Sequence, residues 1–268
     1  MSSRPLAVVT GASSGIGAAF AAVLAEAGHD VLLVARRMDR LECLALDLNA
    51  RYGVDGYPFP LDLADPAAAA KVAGLVEELD RTTAVLVNNA GVITDGCFAD
   101  RPWEAQSALL SLMVQTPTEL VHRLLPAMLT ARRGRVVTVA SMGGFFHSTP
   151  RQTLYAPVKR YAIAFSRGLA TEYRDSGVTF TAVCPGFVDT EMMAMNPGTA
   201  AAGRRLRRFA VMSADTAARA GWAAAQRGER VVVPGAVNKA LVTALKVLPT
   251  EAGDALVTKA FEILTKVH

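Results

Sequence analysis

Short apolar segments alternate with longer helix-like segments along this chain, and that alternation constrains the fold more than any other feature. Most of the short segments are continuously apolar, which is typical of parallel strands that are buried on both faces. Seven segments have this character: Leu6–Thr10, Val31–Ala35, Tyr57–Leu61, Ala84–Asn88, Arg135–Ala140, Val178–Val183 and Arg230–Val233.

The segments between these strands have the length and the boundary residues of crossover helices. Gly28 follows the first helix, Pro66 opens the third and Gly177 follows the fifth, as expected for helix termini. The six predicted helices are Ile16–Ala27, Asp39–Arg51, Pro66–Asp80, Trp103–Ala131, Tyr155–Asp175 and Asp215–Gln226. Alternating strands and helices of this kind predict an α/β fold with a doubly wound parallel sheet. Because no change in composition divides residues 1–268, we expect a single domain, with a helical extension over about 236–268.

Composition and charge exclude several classes of protein. Hydrophobic residues make up 51% of the 268 residues, which excludes a disordered chain. The net charge of +4 comes from basic residues spread along the chain, so we expect no nucleic-acid partner. No apolar run approaches the roughly 18 residues of a membrane span, and the first residues lack a signal-peptide pattern. Three widely spaced cysteines predict neither disulfides nor a metal site, which favours a cytoplasmic location.

A glycine-rich turn follows the first predicted strand and opens directly into a predicted helix. Its glycines allow a sharp turn and a close approach to a pyrophosphate, whose charge is favoured at a helix N-terminus. The spacing is G-x-x-x-G-x-G rather than G-x-G-x-x-G, but the strand–turn–helix context favours nucleotide binding. The predicted contacts in this turn are Gly11, Ser13, Ser14, Gly15, Ile16 and Gly17.

The residues at the end of the second predicted strand indicate which nucleotide binds. An NAD site has a carboxylate there, about 20 residues beyond the glycines, to bind the ribose hydroxyls. This chain has Ala35 at that position, followed by Arg36 and Arg37. A guanidinium can bind a 2′-phosphate through two hydrogen bonds. We therefore expect NADP(H), with Arg36 as the deciding residue, although both arginines could simply be solvated residues before a helix.

Three further residues suggest acid–base chemistry. Tyr155 and Lys159 are four residues apart at the start of a predicted helix, which places both side chains on one face. A nearby cation stabilises a phenolate and lowers its pKa from about 10 toward neutrality. Ser141 follows the fifth predicted strand and could hold a carbonyl oxygen.

In their order and spacing, these elements resemble the short-chain dehydrogenase/reductase family over about residues 5–235. Seven elements carry the resemblance: Thr10–Gly17, Asp62, Asn88–Gly91, Ser141, Tyr155, Lys159 and Pro185-Gly186. The resemblance implies a Rossmann-like sheet of seven strands and hydride transfer at a nicotinamide. It also implies that Tyr155 is the acid in reduction and the base in oxidation, that Lys159 binds the nicotinamide ribose, and that Ser141 positions the substrate oxygen.

The same resemblance implies the remaining cofactor contacts. Asp62 and the Leu63 backbone would contact the adenine, although Asp62 could instead cap the helical region that follows. Thr190 would contact the nicotinamide amide. The other positions implied are Asn89, Ala90, Gly91, Pro185, Gly186 and Val188.

One position departs from the family. Alignment on Pro126 places Met113 where the long fourth crossover helix usually has an asparagine that supports a proton relay. Pro117 lies four residues later, and its missing N–H would leave the carbonyl of Met113 without its helical hydrogen bond. We therefore expect that a proline-dependent kink replaces the asparagine.

Methionines and aromatic residues predict an apolar substrate site. The segment over about 190–212 contains methionines and Asn196-Pro197-Gly198, and we interpret it as a mobile lid. The predicted substrate contacts are Phe145, His147, Phe187 and Met192. The arginines of Arg204–Arg208 form either a solvated helix face or a contact for an acidic partner.

These observations predict an NADP(H)-dependent enzyme that interconverts a carbonyl and an alcohol on a hydrophobic substrate. Two alternatives stay open: a cofactor-binding scaffold with little redox activity, and a non-redox isomerase or dehydratase. The length and apolar character of Trp103–Ala131 and Tyr155–Asp175 predict a homodimer or homotetramer.

Overall fold

The computed structural model describes residues 4–146, 149, 151–195, 200–202, 204 and 211–265. Its centre is a parallel seven-stranded sheet with the strand order β3-β2-β1-β4-β5-β6-β9. These strands are β1 (Leu6–Thr10), β2 (Asp30–Ala35), β3 (Gly56–Pro60), β4 (Thr83–Asn88), β5 (Gly134–Val139), β6 (Val178–Val183) and β9 (Val231–Val232). The predicted single-domain, Rossmann-like α/β fold is therefore confirmed.

Helices cover both faces of the sheet. In the described part of the chain they are α1 (Gly15–Glu26), α2 (Met38–Tyr52), α3 (Ala68–Glu78), α4 (Trp103–Leu110), α5 (Thr116–Thr130), α6 (Tyr155–Glu172), α7 (Glu191–Met195), α8 (Ala214–Gln226), α9 (Ala236–Val247) and α10 (Thr250–Thr265). Residues of α1, α2 and α8 form one core with one side of the sheet, and residues of α3, α5 and α6 form another core with the opposite side. Every residue of β1 and β2 is buried, which explains the continuously apolar runs Leu6–Val9 and Val31–Ala35 within them.

The predicted helix Trp103–Ala131 is not one regular helix. Residues Ser111–Gln115 form a π-helical segment between α4 and α5, in which the Thr116 N–H donates to the Ser111 carbonyl. Pro117 lies just after this segment and cannot donate a helical hydrogen bond. A π segment of this kind adds a residue to one turn and is frequent at functional sites.

A second, two-stranded sheet was not predicted. Strand β7 (Phe187–Asp189) pairs in parallel with β8 (Val211–Ser213), with Val188 opposite Met212. The two ends of the segment interpreted as a lid therefore lie side by side. In the part of the chain that the structure describes, none of the helices is long and apolar enough to cross a membrane.

Candidate active site

The carboxyl ends of the parallel strands all meet at one edge of the sheet, and the predicted site residues follow those ends. The turn after β1, the Asn88–Gly91 segment after β4, Ser141 after β5 and Pro185-Gly186 after β6 lie at this edge. This is the edge at which open α/β sheets bind ligands.

The glycine-rich turn has the shape of an anion site. Gly11 has a φ of +67°, and a Cβ atom added there would lie 2.8 Å from Asn89 Nδ2. A Cβ atom on Gly17 would lie 2.2 Å from the Gly11 carbonyl oxygen, so a side chain is excluded at both positions. Ser14 is the N-cap of α1, but its side chain does not cap the helix, and the first turn contains no acidic residue. The first N–H groups of α1 therefore remain suited to a phosphate.

Thr10 and Asn89 join this turn to the end of β4. Thr10 Oγ1 accepts hydrogen bonds from the backbone N–H groups of Asn89 (2.9 Å) and Ala90 (3.1 Å), and it donates to the Val87 carbonyl (3.1 Å). Asn89 Nδ2 donates to the Thr10 carbonyl at 2.9 Å. The side chain of Asn89 thus holds the turn in place from within the predicted cofactor site.

The structure brings Arg37, and not Arg36, against the glycine-rich turn. The Arg37 guanidinium donates to Ser13 Oγ at 3.0 and 3.2 Å and to Ser14 Oγ at 3.0 Å. Arg36 is exposed. The structure therefore favours Arg37 as the arginine next to this turn, because the chain leaves β2 with the Arg37 side chain directed toward the serines, and the role expected of Arg36 stays a prediction.

Asp62 and Leu63 lie in the loop between β3 and α3. Asp62 Oδ1 accepts the Ala64 N–H at 3.0 Å, so this carboxylate supports its own loop. Leu63 is buried, and its carbonyl accepts a 2.8 Å hydrogen bond from Thr116 Oγ1. These contacts hold the loop next to the π segment.

Ser141, Tyr155 and Lys159 come together as the sequence predicts. Ser141 Oγ accepts the Gly143 N–H at 3.1 Å and is also hydrogen-bonded to the Tyr155 side chain. Lys159 Nζ donates to the Val139 carbonyl at 2.9 Å and lies 5.8 Å from the centroid of the Tyr155 ring. Pro157 lies in the first turn of α6, where its missing N–H costs nothing.

Burial dominates the electrostatics of this trio. It raises the pKa of Tyr155 above its usual value of about 10, and the hydrogen bond with Ser141 only partly opposes this effect. Burial also lowers the pKa of Lys159 to about 8. Burial therefore opposes the lowering of the Tyr155 pKa that we expect from Lys159. At neutral pH the phenol of Tyr155 is therefore neutral, and Lys159 loses its charge in mildly alkaline solution.

Comparison with known proteins identifies the family. The family model of short chain dehydrogenases matches residues 5–199. This chain belongs to the short-chain dehydrogenase family. It is 33% identical over 186 residues to the oxidoreductase UcpA of Salmonella typhimurium, covering 69% of this chain and 70% of that protein. It is also 33% identical over 198 residues to a very-long-chain 3-oxoacyl-CoA reductase of Laccaria bicolor, covering 72% of this chain and 58% of that protein.

Solved structures of similar fold include nicotinamide-dependent enzymes. A short-chain dehydrogenase from Sphingobium yanoikuyae in complex with NADPH has a TM-score of 0.78 and 31% identity, with 94% of each chain covered. A 7β-hydroxysteroid dehydrogenase has a TM-score of 0.85, with 94% of this chain and 96% of that chain covered, but at 23% identity it shows the fold alone. This short-chain dehydrogenase is therefore an oxidoreductase of a family that uses a nicotinamide cofactor.

An apolar cavity of about 170 Å³ extends from the Ser141–Tyr155–Lys159 trio in this dehydrogenase. Phe187 and Met192 line it, as expected for substrate contacts, and so do Pro185, Gly186, Val188 and Thr190. Phe145 does not line it, because its side chain packs against a cluster that includes Ile163 of α6 and Ala182 of β6 and lies 4.9 Å from Lys246 Nζ, measured to the ring centroid. Phe146 takes its place in the lining. His147, Arg205, Arg207 and Arg208 lie outside the described residues.

A second, smaller cavity of about 20 Å³ lies behind Lys159. Its polar lining includes Thr10, Asn88 and Thr116, and Met113 borders both this cavity and the larger one. Asn88 Oδ1 is buried and has no hydrogen-bond partner within the described part of the chain. A space of this volume suits one water molecule. The Asn88–Gly91 motif predicted that this segment lies near the site, but the sequence did not predict that Asn88 Oδ1 lacks a hydrogen-bond partner among the described residues.

Among the described residues, no group of three or more histidine, cysteine, aspartate or glutamate side chains is placed to hold a metal ion.

Proposed function

We propose that this dehydrogenase reduces a carbonyl group on an apolar substrate with NADPH, and that Tyr155 donates the proton. The observation that carries the proposal is the position of the trio. Ser141, Tyr155 and Lys159 border an apolar cavity whose wall also includes Ile16 at the start of α1. A nicotinamide cofactor, when bound, supplies the hydride.

The residues present fit such a cofactor. The uncapped start of α1 and the side-chain-free positions Gly11 and Gly17 suit the pyrophosphate. Asn89, Gly91, Pro185, Gly186 and Thr190 line the space between that turn and the trio, which supports their assignment as cofactor contacts. Lys159 is close enough to Tyr155 for one ribose to contact both.

Reduction requires the protonated form of Tyr155. A phenol whose pKa lies above its ordinary value is fully protonated at neutral pH, so Tyr155 is ready to donate a proton to an oxygen that gains negative charge. Ser141 lies beside the phenol and can donate to the same oxygen. The proton leaves Tyr155 as the carbonyl carbon accepts the hydride, and the product is an alcohol.

Two observations support NADPH over NADH. Arg37, Ser13 and Ser14 form a cluster, here called the arginine–serine cradle, that can bind a 2′-phosphate. Ala35 stands where an NAD enzyme needs a carboxylate. The similar Sphingobium enzyme, solved with NADPH, agrees with this assignment.

The test is loss of NADPH absorbance with a panel of apolar ketones, aldehydes and 3-oxoacyl thioesters. We expect turnover with at least one apolar carbonyl compound and slower turnover with NADH. Tight NADPH binding without turnover on any member would favour the cofactor-binding scaffold. Conversion of a substrate without net NADPH consumption would favour the isomerase or dehydratase.

A further inference from the structure

Glu191 connects the start of α7 to two arginines near the start of α2. Its carboxylate accepts hydrogen bonds from Arg37 Nη1 at 2.9 and 3.1 Å, and from Arg40 Nη1 and Nη2 at 3.0 and 3.3 Å. Glu191 and Arg37 are 154 positions apart in sequence. The contact therefore depends on the tertiary structure alone.

The hydrogen bonds of Arg37 use most of its donors. A guanidinium has five N–H groups. The Arg37 group makes three contacts with the hydroxyls of Ser13 and Ser14 and two with the oxygens of Glu191. Both oxygens of Glu191 are bound by Nη1, so a 2′-phosphate that binds this guanidinium shares it with a carboxylate of the same charge.

The segment that presents Glu191 lies against the glycine-rich turn. A Cβ atom on Gly15 would be 3.0 Å from Cγ2 of Thr190, the residue before Glu191. Pairing with Arg37, and to a smaller extent with Arg40, lowers the pKa of Glu191, so its carboxylate stays ionised at neutral pH. A negative charge therefore lies against the arginine–serine cradle, next to the turn expected to bind the cofactor.

We propose that Glu191 is a specificity-determining residue that competes with the 2′-phosphate of NADP(H) for Arg37. The proposal rests on the assignment of the cradle as the 2′-phosphate site. A cofactor with the phosphate must displace or share the Glu191 contacts, whereas one without it can leave them in place. Glu191 thereby reduces the preference for NADP(H) below what the cradle alone would provide.

The experiment uses fragments that contain only the adenosine end of each cofactor. Binding of 2′,5′-ADP and of 5′-AMP to the full chain is measured by calorimetry for the wild type and for Glu191→Gln. We expect Glu191→Gln to strengthen binding of 2′,5′-ADP by about tenfold, because like charges that share a site oppose each other. Binding of 5′-AMP should change by less than about twofold, since that fragment has no 2′-phosphate for Glu191 to oppose.

Asp39→Asn is the matched control. Asp39 lies in the first turn of α2, and it is not among the hydrogen-bond partners of Arg37. Asp39→Asn also removes one negative charge near Arg37. A similar gain in 2′,5′-ADP affinity in this variant would mean that the effect comes from the overall electrostatic field and not from the contact between Glu191 and Arg37. In an Arg37→Met background, Glu191→Gln should strengthen binding of 2′,5′-ADP by less than it does in the wild type, because only the repulsion between the two anions is left.

The outcomes separate this proposal from the assignment on which it rests. If the wild type prefers 2′,5′-ADP but Glu191→Gln binds it equally well or more weakly, the competition is wrong and the NADPH assignment stands. Equal strengthening of both fragments also overturns the competition, because the effect would not depend on the 2′-phosphate. If neither protein prefers 2′,5′-ADP, both the NADPH assignment and this proposal fail.

Discussion

The ammonium of Lys159 lies 5.8 Å from the centroid of the Tyr155 ring, and its hydrogen bond goes to the Val139 carbonyl. Lysine and tyrosine are thus neighbours on one helix face, as a four-residue spacing requires, but the protein interior penalises both of their charged forms. A neutral phenol is an acid and not a base. This relationship determines the direction and the pH dependence that we expect of the enzyme.

Replacing Tyr155 by phenylalanine should reduce kcat for carbonyl reduction by roughly 10²–10⁴-fold, because the proton donor is lost. NADPH affinity, measured by fluorescence titration, should be nearly unchanged. Tyr161→Phe is the control, since Tyr161 is on the same helix and its hydroxyl is hydrogen-bonded to Thr118. A Tyr155→Phe enzyme that keeps more than about a tenth of the rate would mean that another group is the acid.

The reduction rate should be highest near neutral pH and should fall as the pH rises through about 8, where Lys159 loses its charge. Below that pH the lysine is a cation and the phenol is protonated, which is the state required for reduction. Alcohol oxidation should instead increase with pH, because it needs the phenolate and the pKa of Tyr155 is raised. Steady-state rates in both directions, with melting temperatures recorded at each pH to exclude unfolding, check this prediction. A reduction rate that increases through pH 8 would contradict it.

Arg37→Met should weaken NADPH binding by about tenfold or more, because a charge-assisted contact is worth about 1.5–3 kcal/mol. The same change at Arg36, which is exposed, should have a smaller effect. NADH affinity serves as the internal control and should not change in either variant. The original expectation for Arg36 would be restored if Arg36→Met caused the larger loss.

Met113→Asn should change turnover by less than about tenfold, because the π segment and Pro117 already distort the helix there. Met113 is buried and borders both cavities, so Met113→Leu, which keeps the apolar volume, is the matched control. Stopped-flow and steady-state rates with NADPH check both variants. A hundredfold gain in Met113→Asn would show that the natural protein lacks a working proton relay.

Light scattering at micromolar concentration should give at least a dimeric mass. The sequence predicts an interface through Trp103–Ala131 and Tyr155–Asp175, and Phe165 on α6 is half-buried and stacks on Tyr161. Phe165→Arg should therefore reduce the mass, whereas Leu46→Arg at an exposed position of α2 should not. The structure also exposes Val237 and Leu241 on α9. If the dimeric mass persists in Phe165→Arg but is lost in Leu241→Arg, the interface lies on α9 instead.

The sequence by itself determined the sheet, the order of its helices and the candidate trio. A continuous apolar run such as Val31–Ala35 predicts a strand that is covered on both faces. This pattern lies within a few consecutive residues and can be read without knowledge of distant partners. The Tyr155–Lys159 pair and the glycine-rich turn are also local, because helix geometry and a positive φ at Gly11 fix them within a few residues.

Tertiary structure decided what depends on distant partners. Three contacts join segments that are well separated in sequence: that of Arg37 with Ser13 and Ser14, that of Glu191 with Arg37, and the pairing of β7 with β8. The pKa of Tyr155 also depends on distant partners, because burial by other elements affects it more than Lys159 on the same helix does. Sequence spacing reports which residues share a helix face, but only the packed chain determines how much water and which charges surround them.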